Sequence, residues 1–140
     1  MKTEMKCVID TNVLIVSISE FSKYHWLYRL IVDGKIQVCI TNEILMEYEE
    51  KLTEKLGADT AMNVVRTLLN LENVFLINVY FKLDLIKADA DDNKFVDCAF
   101  TSNAHVLISN DRHFRILNTI AFPKINLVTL EMFKEMIKVV

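Results

Sequence analysis

Five short strand-like runs punctuate the sequence, and none sits close enough to the next to form a tight hairpin with it. Lys6 to Ile9 is the first, followed by Ile36 to Ile40, Val74 to Val79, Val106 to Ile108 and Ile125 to Val128. The segments between them place apolar residues at helical spacing. Asn12 to Val32 carries Leu27, Leu30 and Ile31 on one face, as two helices broken near Ser19 to Ser22, and Gly34 closes it as a C-terminal cap. Thr41 or Asn42 caps a helix running to about Leu56, which Gly57 ends. Helices over about Ala58 to Leu71 and about Asp91 to Ser102, a short helix after Asp111, and a closing helix from Leu130 complete the pattern. Strands that alternate with helices are joined by crossovers. The expected fold class is therefore α/β, with a mainly parallel sheet and helices on both faces.

The length supports one core. A chain of 140 residues matches a common size of a single domain, able to bury about two-thirds of its unfolded surface, so residues 1–140 are expected to form one unit. With 52% hydrophobic residues, two glycines and one proline, there is little material for long flexible loops, and no linker or repeat is visible. No apolar run approaches the roughly 18 residues of a membrane helix, and the N-terminus lacks a signal peptide's apolar stretch. A soluble, cytoplasmic protein with no membrane partner is expected. Cys7, Cys39 and Cys98 lie in apolar segments without a C-x-x-C pair, which is the pattern of buried thiols. A net charge of −3 excludes a surface that is basic as a whole, so any nucleic-acid contact must be local.

Within this frame two aspartates stand out. In open α/β sheets the ligand crevice lies beyond the carboxyl ends of the strands. Asp10 follows the apolar run CVI and Asp111 follows VLI in AHVLISND, so two strands deliver a carboxylate to one rim if they are neighbours in the sheet. A third candidate comes from ADADDNKFVDCAF. At about 100° per residue, Phe95, Val96, Ala99 and Phe100 share an apolar face, and Asp92 projects near its centre from the first turn. Asp92 is expected to point inward, although a helix-capping role suits the same position. Asp97 falls about 130° from that face by the same geometry and is expected in solvent, while Asp91 or Asp89 is placed to cap the helix. A calcium loop is excluded, because Lys94 stands where that loop needs glycine and Phe100 where it needs a bidentate glutamate. In TNEILMEYEEKL the stripe of Ile44, Leu45, Tyr48 and Leu52 leaves Glu47 and Glu49 at its margins, and spacing alone does not choose between them.

Carboxylates gathered in one crevice repel each other, and burial raises their pKa values, so such a cluster calls for a cation. An all-oxygen donor set, with no partnering histidine or thiolate, points to Mg²⁺ or Mn²⁺. An ion of this kind lowers the pKa of water, orients a phosphate and stabilises a leaving oxygen, as in nucleases and phosphatases.

VIDTNVLI, EILMEY, DDNKFVDCA and VLISND occur in order across nearly the whole chain. Together they resemble the PIN domain family, specifically the bacterial group of toxin components of toxin–antitoxin systems. The resemblance implies a small three-layer α/β/α sandwich and a metal-dependent ribonuclease. It implies that Asp10, Glu47, Asp92 and Asp111 are the catalytic, metal-holding acids, and it is this likeness that selects Glu47 over Glu49. Thr11, Asn12 and Ser109 match the polar residues that orient the carboxylates or the substrate phosphate. The chain departs from a common family form at Asn110, where glycine is frequent; asparagine tolerates positive φ, so the tight turn is expected to survive.

The mechanism expected on this basis is attack of water on an RNA phosphodiester with Mg²⁺ or Mn²⁺ present, leaving a 5′-phosphate and a 3′-hydroxyl. Lys94 and Arg112, with His113 and Arg115 nearby, are candidate RNA contacts. His25 and His105 have no visible partner, and Tyr24, Trp26 and Tyr28 read as core or interface residues. A cognate antitoxin protein and a homodimer, to which an exposed Trp26 or Tyr28 would contribute, are the partners the likeness implies besides RNA. Two alternatives belong to other classes: a catalytically silent module that binds a protein or RNA, and a nuclease for structured DNA. Retention of all four acids argues against the first. The second usually carries insertions that this chain has no room for.

Overall fold

The computed structural model describes residues 5–138. Five strands, β1 (Lys6–Ile9), β2 (Gln37–Ile40), β3 (Val74–Leu76), β4 (Val106–Ile108) and β5 (Leu127–Val128), form one sheet in the order β3-β2-β1-β4-β5. Every pairing is parallel. The helices α1 (Thr11–Ile18), α2 (His25–Val32), α3 (Asn42–Leu56), α4 (Ala58–Asn70), α5 (Asn93–Thr101) and α6 (Leu130–Lys138) flank it, giving the expected three-layer α/β/α arrangement. The three central strands are sealed on both faces: Val8, Ile9, Val38, Ile40, Leu107 and Ile108 are all buried, as a parallel sheet covered by helices requires. Cys7, Cys39 and Cys98 are free thiols within this core.

Local signals explain the boundaries. The break between α1 and α2 spans Ser19 to Tyr24, and Gly34, at φ +72°, donates its N–H to the Ile31 carbonyl just past α2. Thr41 accepts a hydrogen bond from Ile44 N at the start of α3, and Gly57, at φ +94°, turns the chain directly from α3 into α4. Both glycines occupy conformations that side chains resist. The edge strands are shorter than their apolar runs. A last hydrogen bond joins Ile77 N to Ile40 O, and there β2 gives way to α3, so Asn78 and Val79 have no ladder to continue. Likewise β5 can pair only with the three residues of β4.

Other expectations change in detail. The segment expected as a helix from Asp91 begins as a 3₁₀ turn, Ala90–Asp92, and only then becomes α5. Asp89 accepts the Asp91 N–H and sets that turn. After Asp111 the chain forms a longer 3₁₀ helix, Arg112–Thr119. Trp26 and Tyr28 are not fully exposed: both are half-buried against the core, and Trp26 stacks on Phe133 at 6.3 Å. The two histidines expected to lack partners have them. His25 Nδ1 lies 2.9 Å from the Ser17 carbonyl, and His105 Nδ1 accepts from Lys6 N at 2.9 Å. Among the described residues, no helix is long and apolar enough to cross a membrane.

Candidate functional site

The chain runs outward through β1, β2 and β3, then returns to place β4 on the other side of β1. The reversal of strand order therefore falls between β1 and β4, the place where an α/β sheet opens a crevice at its carboxyl edge. Ile9 pairs with Ile108, so the next residues, Asp10 and Ser109, emerge side by side. Asp10 N donates to Ile108 O at 3.0 Å, and Ser109 Oγ donates to Asp10 Oδ2 at 2.8 Å. The same hydroxyl accepts from Asp111 N at 3.0 Å. Ser109, itself buried, thus ties the two strand-end aspartates together.

Asp10 occupies the N-cap position of α1 but makes no side-chain cap bond. It is 6% exposed. Burial pushes its carboxyl up to about 6, and the Asp111 and Glu47 charges push the same way, against the Ser109 hydroxyl and the Thr11 backbone N–H. Asp92, on the 3₁₀ turn before α5, has a side chain 14% exposed. Burial also raises it to about 6, with Asp89, Asp111 and Asp10 adding repulsion and His113 opposing them. Asp10, Asp92 and Asp111 therefore share one negative field, which Glu47 extends.

Glu47 reaches this field from α3, because Tyr48 anchors the helix beneath it. The Tyr48 side chain is fully buried and its hydroxyl donates to the Ile9 carbonyl, at the end of β1. Thr11 Oγ1 donates to Glu47 Oε2, and Lys94 Nζ pairs with Glu47 Oε1 at 2.6 Å. Glu49 is exposed on the other side of the helix. The pairing also corrects the expectation for Lys94. Its side chain is 14% exposed and its ammonium donates to the Asp91 carbonyl as well, at 2.8 Å, so it is committed to neighbours inside the protein rather than displayed to RNA. Arg112 and Asn12 are exposed at the rim.

Three further placements differ from the sequence reading. The donor set is not all oxygen: His113 Nδ1 stands 3.7 Å from Asp92 Oδ2 and 3.6 Å from Asp111 Oδ1. Its position two residues after a strand-end acid is the only sequence signal for it. Asp97 is buried, not solvated, and accepts from Leu83 N at 3.1 Å, because the irregular segment before Asp89 folds over that side of α5. Asn110 does not adopt positive φ; its Oδ1 instead accepts from Leu130 N at 3.1 Å and caps α6. Asp89, three residues before Asp92 and so beside it on the turn, joins Asp92 and His113 in a group whose donor atoms lie within 4.8 Å of one another.

A divalent cation fits these residues. Asp92 Oδ2 and His113 Nδ1 are buried without hydrogen-bond partners, a costly condition that an ion would relieve, and the Asp10 and Asp92 carboxyls, raised first by burial and then by their acidic neighbours, are groups whose charge a cation would favour.

The parallel α/β fold brings Asp10 and Asp111 to the rim of its switch point, with Asp92 and Glu47 close enough to repel them, while the donor atoms within 4.8 Å of one another are those of Asp89, Asp92 and His113. The sequence profile of the PIN domain matches residues 6–113, and the chain belongs to this family, whose fold is that of a nuclease. No curated protein matches the chain significantly in sequence. Among solved structures, VapBC2 from Rickettsia felis bound to a promoter DNA fragment aligns with TM-score 0.58 at 14% identity, covering 89% of this chain and 98% of that one. DNA-bound VapBC from Salmonella typhimurium aligns with TM-score 0.57 at 18% identity, covering 90% and 98%. The Sarcin-Ricin loop cleaving toxin VapC20 of Mycobacterium tuberculosis aligns with TM-score 0.53 at 14% identity, covering 72% and 86%.

Proposed function

We propose that the protein is a Mg²⁺- or Mn²⁺-dependent endoribonuclease and the toxin component of a toxin–antitoxin pair. The observation that carries this reading is the buried Asp10 at the β1–β4 switch point, its carboxyl raised to about 6 in the company of Asp111 and Glu47. Structural likeness to VapBC proteins and to an RNA-cleaving VapC supports the choice of RNA as substrate and of an antitoxin as partner.

In this reading Asp10, Glu47, Asp92 and Asp111 would hold the cation. When bound, the ion supplies Lewis acidity, which acidifies water and offsets charge on the phosphate. Ser109 fixes the rotamer of Asp10, while Thr11 and Lys94 fix Glu47. Arg112, exposed next to Asp111, would meet the RNA backbone. Water oxygen bonds to phosphorus as the bond to the 3′-oxygen breaks; the attacking water gives up a proton to solvent and the leaving oxygen takes one from solvent, so that the products are a 5′-phosphate and a 3′-hydroxyl.

The test incubates the purified protein with RNA and DNA of mixed sequence, in Mn²⁺ or in EDTA, beside Asp10→Asn. RNA should be cut only by the native protein and only with the ion. Cleavage that survives EDTA or the substitution overturns the mechanism, and inertness throughout favours a module that binds without cutting.

A further inference from the structure

The hydrolytic scheme above leaves His113 unused, although the 3₁₀ helix after Asp111 directs its ring into the acidic group. Its Nδ1 is 3.7 Å from Asp92 Oδ2 and 3.6 Å from Asp111 Oδ1, both too long for a hydrogen bond. Among the described residues, Nδ1 and Asp92 Oδ2 are the buried side-chain polar atoms left without a partner. Two adjacent groups that could satisfy each other and do not are an unusual pair. Ligands held about 2.1 Å from one ion stand about 3 Å apart when adjacent and about 4.2 Å apart when opposite. Both separations lie within that interval. The one to Asp111 Oδ1 is set by the turn in which that oxygen accepts from His113 N at 2.9 Å, so the contact with Asp92 is the informative one. One donor atom each from Asp89, Asp92 and His113 falls within 4.8 Å of the others, a slightly wider group that an ion would draw in. This is the spacing of groups that share an ion more than of groups that bond to each other.

On the metal-dependent reading of the site, on which it rests, we propose that His113 ligates the divalent cation through Nδ1, beside Asp92 and Asp89, and makes the centre selective for Mn²⁺ over Mg²⁺. Mg²⁺ prefers an all-oxygen shell and keeps much of its water, whereas first-row transition ions accept imidazole. One nitrogen among carboxylates therefore discriminates between two ions that a purely acidic site would hold alike. The competing role for the same ring is a protonated side chain that neutralises Asp92 and Asp111 in place of an ion. The two roles predict opposite signs: removing a ligand weakens cation binding, and removing a competing positive charge strengthens it.

The experiment measures binding of Mn²⁺ alone and of Mg²⁺ alone to the full chain by calorimetry, with pulsed electron paramagnetic resonance of the bound Mn²⁺. The native protein should show nitrogen modulation from one imidazole, a readout that needs no variant. His113→Ala should abolish the modulation and weaken Mn²⁺ at least tenfold, since even the outer partners of metal ligands are worth about 10- to 100-fold. Mg²⁺ affinity should change much less. Mn²⁺ bound without nitrogen modulation, or bound more tightly by His113→Ala, overturns the role of His113 and leaves the carboxylate centre standing. Failure of the native protein to bind Mn²⁺ overturns both.

Discussion

Ser109 holds more of the site together than any carboxylate does. Its hydroxyl donates to Asp10 and accepts from the Asp111 backbone, so Ser109→Ala removes the side-chain donor to a buried, charged oxygen and orphans an N–H. The variant should lose about 1–3 kcal/mol of stability in urea denaturation and bind Mn²⁺ more weakly in calorimetry, because Asp10 loses the bond that fixes its rotamer. An unchanged Mn²⁺ affinity would show that Asp10 needs no such support. Lys94 works in the other direction. Lys94→Met leaves Glu47 with Thr11 alone, and the metal-free protein should be destabilised while added Mn²⁺ restores more stability than in the native chain, measured as the shift in Tm. The positions of Asp10 and Asp111 were legible in the sequence because strand ends are local features. Glu47 was not separable from Glu49 by spacing, since what distinguishes them is contact with Thr11 and Lys94, residues 36 and 47 positions away respectively. His113 was read only as a cation beside Arg112, because its closeness to Asp92 depends on a contact across 21 positions that spacing does not show.

The segment from Tyr80 to Asp89 has almost no regular structure, yet α5 grips it at two points. Asn93 Oδ1 accepts from Ile86 N at 2.8 Å and its Nδ2 donates to Ile86 O at 2.9 Å, while Asp97, one turn further on, accepts from Leu83 N. Ile86 is drawn into the core by this clasp. It also sets the approach of Asp89 to Asp92, so Asn93→Ala should both loosen the segment and disturb the acidic group. Amide hydrogen exchange at Ile86 should accelerate by at least tenfold relative to the core strands, for a loss of about 1.4 kcal/mol or more of local stability; exchange unchanged at Ile86 would mean that packing alone holds it. The alternation of strand and helix, the break after α1 and both glycine-terminated helices could be read from the chain because each depends on neighbours within a turn or two. The clasp could not. A helical wheel that sorts α5 by hydrophobicity assigns Asp97 to water, and only the tertiary course of the preceding segment places a backbone N–H where its carboxylate can use it.

Net charge is modest at −3, but its distribution sets how the molecule responds to acid. Most native carboxylates have lowered pKa values and lose their stabilising effect as pH falls. Asp10 is the reverse, with a folded value near 6 against an ordinary 3.8, and Asp92 shifts in the same direction. Above both values the group is ionised folded or unfolded, and its burial penalty is felt in full. As pH falls through 6 the native state takes up the proton first, so stability rises between about pH 7 and pH 4, by about 3 kcal/mol at most for Asp10 alone. Metal-free protein should therefore melt several degrees higher at pH 5 than at pH 7.5. A saturating divalent ion should invert the comparison, because it compensates the charge at pH 7.5 and competes with protons at pH 5. Asp10→Asn provides the control. It removes the buried charge while keeping the shape, so it should melt higher than the native protein at pH 7.5 without metal, show a flatter pH profile and gain little from Mn²⁺. A metal-free native chain whose Tm falls from pH 7.5 to pH 5, in step with Asp10→Asn, would mean that the aspartate is not held at a cost and that the crevice is not built around a cation.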